Sequence, residues 1–180
     1  MRLALISAFV ALFLTSAGAA SAMDKENTLY IDLKDGRVVI EMRPDLAPKH
    51  VAQIKKLALE HKYDGIVFHR VIDGFMAQTG DPNGTGSGGM GDLLPAEFNK
   101  EPHTRGAVSM ARTNDPNSAR SQFFIVLKDS NFLDGQYTVW GRVTSGMEFV
   151  DKIKKGAPGS GSVTGPDKMI KVRLASDPNP

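Results

Sequence analysis

Short apolar runs separated by turn residues fill most of this chain. Thr28 to Leu33 reads as a strand, Asp35-Gly36 as a turn and Arg37 to Met42 as the return strand, a hairpin. Pro48 suits the first turn of a helix. Val51, Ile54, Leu57 and Ala58 then recur at helical spacing, with Lys49, Lys55, Lys56 and Glu60 on the other face. Asp64-Gly65 ends that region. Further apolar runs at Ile66 to Ile72, Phe75 to Thr79, Ala107 to Ala111, Gln122 to Leu127 and Tyr137 to Val143 predict strands. A short helix is expected over Met147 to Lys154 and a last strand over Met169 to Ala175, before a polar, Pro-rich tail that frays. Many short strands point to a closed barrel or a sandwich, and two helices are too few for a parallel βα sheet. There is no internal repeat.

The first residues carry a different pattern. Arg2 precedes an apolar run, Leu3 to Leu14, and Ala20-Ser21-Ala22 offers small residues for cleavage. That order predicts a secretory signal over residues 1–22. Ala17-Gly18-Ala19 is an alternative cleavage site, and an uncleaved anchor the alternative reading. The run is shorter than the roughly 20 residues of a spanning helix. The remaining chain, 23–180, suits one domain with its own core. Removing the signal takes away one arginine and no acid, so the net charge of +2 falls to +1. A balance so near zero argues against nucleic acid as the main partner. The absence of cysteine excludes thiol oxidoreductase and cysteine hydrolase chemistry.

Three motifs invite readings that their context rejects. Gly84 to Gly89 matches G-x-G-x-x-G, but Met90-Gly91-Asp92-Leu93-Leu94-Pro95 cannot open the helix a dinucleotide site needs, so a flexible loop is expected. Asp81, Asn83, Thr85, Gly86 and Asp92 resemble a calcium loop without its fifth-position ligand, its final Glu or its flanking helices. His50, His61, His69 and His103 lack metal-ligand spacing and read as surface or structural residues. No G-x-S-x-G elbow supports a serine hydrolase.

Strand parity picks out the informative segments, Phe68 to Asp81 and Ser121 to Ile125. Met76 and Gln78 share one face, as do Gln122 and Phe124, opposite Phe123 and Ile125. A glutamine turned into the core is costly without partners. The two amide-bearing faces are therefore expected to point outward, leaving Met76 and Phe124 exposed beside them. An apolar patch with a few polar groups is the signature of a binding site, although scattered surface apolar residues are also common.

Phe68-His69-Arg70-Val71-Ile72-Asp73-Gly74-Phe75-Met76-Ala77-Gln78-Thr79-Gly80-Asp81 and Ser121-Gln122-Phe123-Phe124-Ile125 closely resemble the cyclophilin family. So do Leu93 to Phe98, Gly106 to Arg112 and Phe132 to Gly135, and the resemblance runs in order from about Thr28 to Ala175. It implies a mainly β fold, a closed eight-stranded antiparallel β-barrel capped by two α-helices. It also implies peptidyl-prolyl cis-trans isomerase activity on proline-containing unfolded or flexible polypeptides, with no cofactor and no metal. The family's catalytic arginine falls on Arg70, supported by Phe75 and Gln78. Its proline pocket falls on Phe75, Met76, Phe124 and Leu133, and its amide-binding positions on Gln78, Ala111 and Gln122. Arg112, Phe132 and Tyr137 fall on the pocket rim. Here the chain departs from the best-known pattern: Thr79 and Arg112 stand where many eukaryotic members carry Gly and Asn, Phe132 replaces a Trp and Tyr137 a His. These changes resemble bacterial exported members and imply weak cyclosporin binding. The expected protein is a monomeric folding catalyst of the periplasm, or a secreted one, free of the membrane after cleavage. The alternative is a proline-peptide binding module or chaperone with little catalysis.

Overall fold

The computed structural model describes residues 24–180, so the signal expected over residues 1–22 lies outside the described residues. Eight strands form one antiparallel sheet: β1 (Thr28–Leu33), β2 (Gly36–Met42), β3 (Arg70–Ile72), β4 (Met76–Thr79), β5 (Ala107–Met110), β6 (Phe123–Val126), β7 (Val139–Ser145) and β8 (Lys171–Leu174). Their order is β3-β4-β6-β5-β7-β2-β1-β8. The end strands β3 and β8 share no ladder. The ladders therefore establish eight antiparallel strands in one curled sheet; they do not extend to the closure into a barrel that the resemblance implied. The segment before β8 crosses the seam by single contacts: Val67 bridges Lys168, Arg70 bridges Ser162, and the Val71 amide donates to the Gly161 carbonyl.

Alternation explains the core. In β1 and β2, Leu29, Ile31, Leu33, Val38, Ile40 and Met42 are buried. The apolar stripe expected on the helix α1 (Pro48–Leu59) lies in the same core through Val51, Ile54, Leu57 and Ala58. Trp140, Phe123 and Tyr63 meet edge to face at its centre, and the Tyr63 hydroxyl donates to the Ser121 carbonyl at 3.0 Å. Several boundaries differ from expectation: the strand expected over Ile66 to Ile72 is confined to Arg70–Ile72, and that over Tyr137 to Val143 runs instead over Val139–Ser145. The first hairpin turns at Lys34-Asp35, and Gly36 already belongs to β2, where the ring of Phe149 occupies the space of a Cβ. The helix α2 covers only Met147–Val150, against the expected Met147 to Lys154. Beyond it the bonds tighten to Lys152 N–H to Phe149 and Ile153 N–H to Val150, and the Lys154 N–H is taken by Asp167 Oδ2 at 2.8 Å.

Candidate active site

The ladder register lays out a row of side chains on the outer face. Arg70 stands opposite Gln78, Gln78 opposite Phe124, and Phe124 opposite Ser109. A second row joins Ile72, Met76 and Val126. The inner row, Val71, Ala77, Ile125 and Val108, lies in the main core. The predicted parity therefore holds, with Phe123 in the core and Phe124 on the other side of the sheet. The predicted exposure does not. Met76 is 2% and Phe124 5% exposed. They form a second apolar cluster with Ala107, Val126 and Leu133, against which Ile72, Phe75, Ala111 and Tyr137 pack. The exposed member is Phe132, 67% accessible, from a one-turn 3-10 helix at Asn131–Leu133. Its ring packs on Phe75 at 5.5 Å.

These residues enclose a small cup of about 290 Å³. Arg70, Phe75, Met76, Gln78, Ala111, Arg112, Phe124, Phe132, Leu133 and Tyr137 line it. Gln122, the remaining residue singled out from the sequence, lines an adjoining cavity that shares Gln78, Ala111 and Arg112 with the cup. All the predicted positions thus converge, although they come from five separate segments.

A hydrogen-bond chain fixes the polar side. Arg70 donates from Nη1 to Gln78 Oε1 at 3.3 Å and from Nε to the Ser160 carbonyl at 3.1 Å. Gln78 donates from Nε2 to Gln122 Oε1 at 2.9 Å, and Gln122 donates to the carbonyls of Gly86 and Gly88. Each amide spends its oxygen on one neighbour and its nitrogen on the next, which orients both. Among the described residues, nothing accepts a hydrogen bond from Arg70 Nη2.

Two supports were not read from the sequence. The first is the loop carrying Ser160 and Gly161. Gly161 has φ +74°, and a Cβ there would come within 2.5 Å of Ile72 and 3.2 Å of the Arg70 side chain. Its glycines were the available signal. The second is the G-x-G-x-x-G loop, which supplies the carbonyls that hold Gln122. The Asp81 carboxylate gathers it by accepting the N–H groups of Asn83, Thr85, Gly86 and Gly88. Burial opposes ionisation of Asp81, yet these donors hold its carboxyl below the usual range. Asp81 therefore caps a loop, and no group of metal ligands is found among the described residues.

Behind Phe124, His103 stacks on its ring at 6.2 Å. His103 Nδ1 lies 2.9 Å from Asp134 Oδ1, and Nε2 lies 3.0 Å from Ser109 Oγ. The order Asp, His, Ser resembles a hydrolase triad, but Ser109 and His103 are fully buried and the Ser109 hydroxyl donates to the Thr138 carbonyl. A nucleophile has to reach its substrate; this set supports the cup floor instead.

A curled eight-stranded antiparallel sheet, with an arginine at the lip of an apolar cup on its outer face, defines a cyclophilin-like protein. Comparison with known proteins carries this further. Residues 28–174 match the family model for cyclophilin type peptidyl-prolyl cis-trans isomerase/CLD. A probable peptidyl-prolyl cis-trans isomerase of Brucella suis is 56% identical over 95% of this chain and 94% of its own length. Peptidyl-prolyl cis-trans isomerase B of Bacillus subtilis is 46% identical over 72% of this chain and 92% of its own. Among solved structures, a cyclophilin from Hirschia baltica superposes with a TM-score of 0.76 at 32% identity, covering 86% of this chain and 76% of that one. A Cryptosporidium parvum cyclophilin crystallised in the presence of the dipeptide Ala-Pro gives 0.75 at 26% identity, covering 82% and 98%. The chain belongs to the cyclophilin-type peptidyl-prolyl cis-trans isomerase family, and it is an isomerase of that class.

Proposed function

We propose that this site accelerates rotation about X-Pro bonds without covalent chemistry, with Arg70 as the group that lowers the barrier. The observation that carries the reading is the guanidinium itself. It is held at Nε and Nη1, open at Nη2, and stands at the rim of an apolar cup roomy enough for a prolyl ring. The amide resists rotation because nitrogen shares its lone pair with the carbonyl, a barrier of about 20 kcal/mol. As the bond twists, that lone pair localises on the prolyl nitrogen. A donor aimed there binds the twisted state better than the planar one. An arginine stays charged throughout and offers donors in a fixed fork. Phe75, Met76, Phe124 and Leu133 hold the ring and strip water from the amide, which weakens its planar form and strengthens the donor. Lowering the barrier by about 7 kcal/mol corresponds to roughly 10^5-fold.

The substrate we propose is the X-Pro bond of exported polypeptides as they fold, in the periplasm or outside the cell. The basic, apolar and small-residue order of residues 1–22 supports that location. Proline-limited refolding of a reporter protein tests the catalysis. Faster refolding at substoichiometric protein is expected, whereas suppressed aggregation with unchanged refolding would identify a chaperone. The N-terminus of the protein recovered from cells, read by mass spectrometry, tests export; a start at Met23 is expected.

A further inference from the structure

The cavity beside the cup has a charge character that proline recognition does not need. It holds about 540 Å³ and shares Gln78, Ala111 and Arg112 with the cup, so a bound peptide can occupy both at once. Two arginines line it, Arg112 and Arg120, and no carboxylate lines either cavity. Neither arginine is spent on an acid. Arg112 donates to the carbonyls of Gln136, Thr113 and Asn114, with its guanidinium over the Tyr137 ring at 4.5 Å. Arg120 donates from Nε and Nη2 to the Gly91 carbonyl alone. By contrast Arg37, Arg43, Arg105, Arg142 and Arg173 are each paired with a carboxylate. The acid nearest to both in sequence, Asp115, lines neither cavity, and its Oδ1 is engaged by the Asn117 N–H.

Two cations pinned by backbone carbonyls are aimed without being neutralised. Backbone pinning also limits the side-chain entropy lost on binding, a cost that usually cancels surface ion pairs. A planar fork matches a carboxylate in two-point geometry. Ser87, Thr113 and Ser118 add hydroxyls to the same walls.

Resting on the isomerase reading above, we infer that this second cavity takes the carboxylate side chain of a substrate residue a few positions from the proline. The enzyme thereby favours acidic X-Pro segments over neutral and basic ones. The wall is partly open to water, so the preference is about three- to tenfold in kcat/KM, and salt weakens it.

The test uses short proline peptides carrying Glu, Gln or Lys at each of three positions on either side of the X-Pro bond. Glu should outpace Gln, and Gln outpace Lys, at one position only, and the ratio should shrink between 20 and 500 mM salt. In Arg120→Glu the order should reverse at that same position. Because Arg120 also braces the Gly89 to Gly91 turn, Arg120→Gln is measured in parallel; there the Glu-to-Gln ratio should approach one. Each ratio is read within a single variant, so a general loss of activity does not mimic the effect. Equal rates for Glu, Gln and Lys at every position in the active native enzyme would overturn the inference and leave the isomerase reading standing. No turnover of any peptide would instead sink the isomerase reading.

Discussion

Arg70 owes its use to three neighbours of different origin: Gln78 across the ladder, the Ser160 carbonyl across the seam and the apolar cup below. Removing its guanidinium takes away a preorganised donor that acts mainly in the twisted state. Arg70→Ala should lower kcat/KM by about 10^2- to 10^3-fold, as for the loss of one oxyanion donor, with peptide affinity changed far less. Peptide isomerisation rates and calorimetric titration check this; near-native turnover in a folded mutant would rule the mechanism out. The adjacent Phe123 and Phe124 separate stability from function. Phe123 packs between Tyr63 and Trp140, so Phe123→Ala should cost about 3–5 kcal/mol of stability. Phe124 belongs to the smaller cluster under the cup, so Phe124→Ala should lose activity chiefly, with the smaller shift in melting temperature. Thermal melts and rates on both mutants decide the matter. This difference was half legible in the sequence. Period-two alternation gives the face of each side chain, because it is a property of the strand itself. It cannot give the cover, which comes from His103, Leu133 and Tyr137, and so Phe124 looked exposed when it is buried.

The helix α1 shows the same division at the next scale. Its start was legible from Pro48 and its core stripe from the spacing of Val51, Ile54, Leu57 and Ala58. Its N-terminal cap was not. Ala47 at the cap position has no side-chain oxygen to offer. The first-turn amides of Lys49 and His50 are instead accepted by Glu97, 47 residues beyond His50, whose Oε2 also lies 2.6 Å from His50 Nδ1. No local pattern announces a carboxylate at that distance. The segment bearing Glu97 did stand out through its resemblance to a family motif, which marked the place without giving the reason. Burial raises the Glu97 pKa, but the His50 ring and the two backbone donors outweigh it and hold the carboxyl below its usual value. Glu97→Ala strips the cap and leaves a buried imidazole without its partner. Those losses together should cost about 2–3 kcal/mol, read as a lower urea midpoint at neutral pH. The site lies on other elements, so isomerase rates at 10 °C should stay within about twofold of native, as expected for a purely structural cost.

For the molecule as a whole, the buried His50 and His69 set an acid limit. His50 is fully buried and His69 8% exposed. Burial is the leading cause that lowers the pKa of each, against the opposing pull of Glu97 on His50 and of Asp81 on His69. The folded protein therefore keeps both rings neutral at pH values where the unfolded chain, with pKa near 6.5, already binds protons. A group with a depressed folded pKa contributes stability in full above its unfolded pKa. That contribution fades as the pH falls toward the folded value. Stability should be flat above pH ~7.5 and fall below pH ~6.5, with a slope reaching about 2.7 kcal/mol per pH unit if both rings act. The carboxylates held low in the fold, Asp64, Asp81 and Asp167 among them, enter later, as the pH drops through the range of free carboxyls near 4. The two windows meet only near pH 5, so urea midpoints measured from pH 5.5 to 8 report chiefly the histidines. His50→Asn keeps a donor for Glu97 and removes one titrating ring. It should be less stable at pH 8 because it shortens a buried side chain, and its slope between pH 6.5 and 5.5 should be about half that of the native protein. An unchanged slope in that mutant would assign the acid sensitivity to His69 or to groups outside this pair.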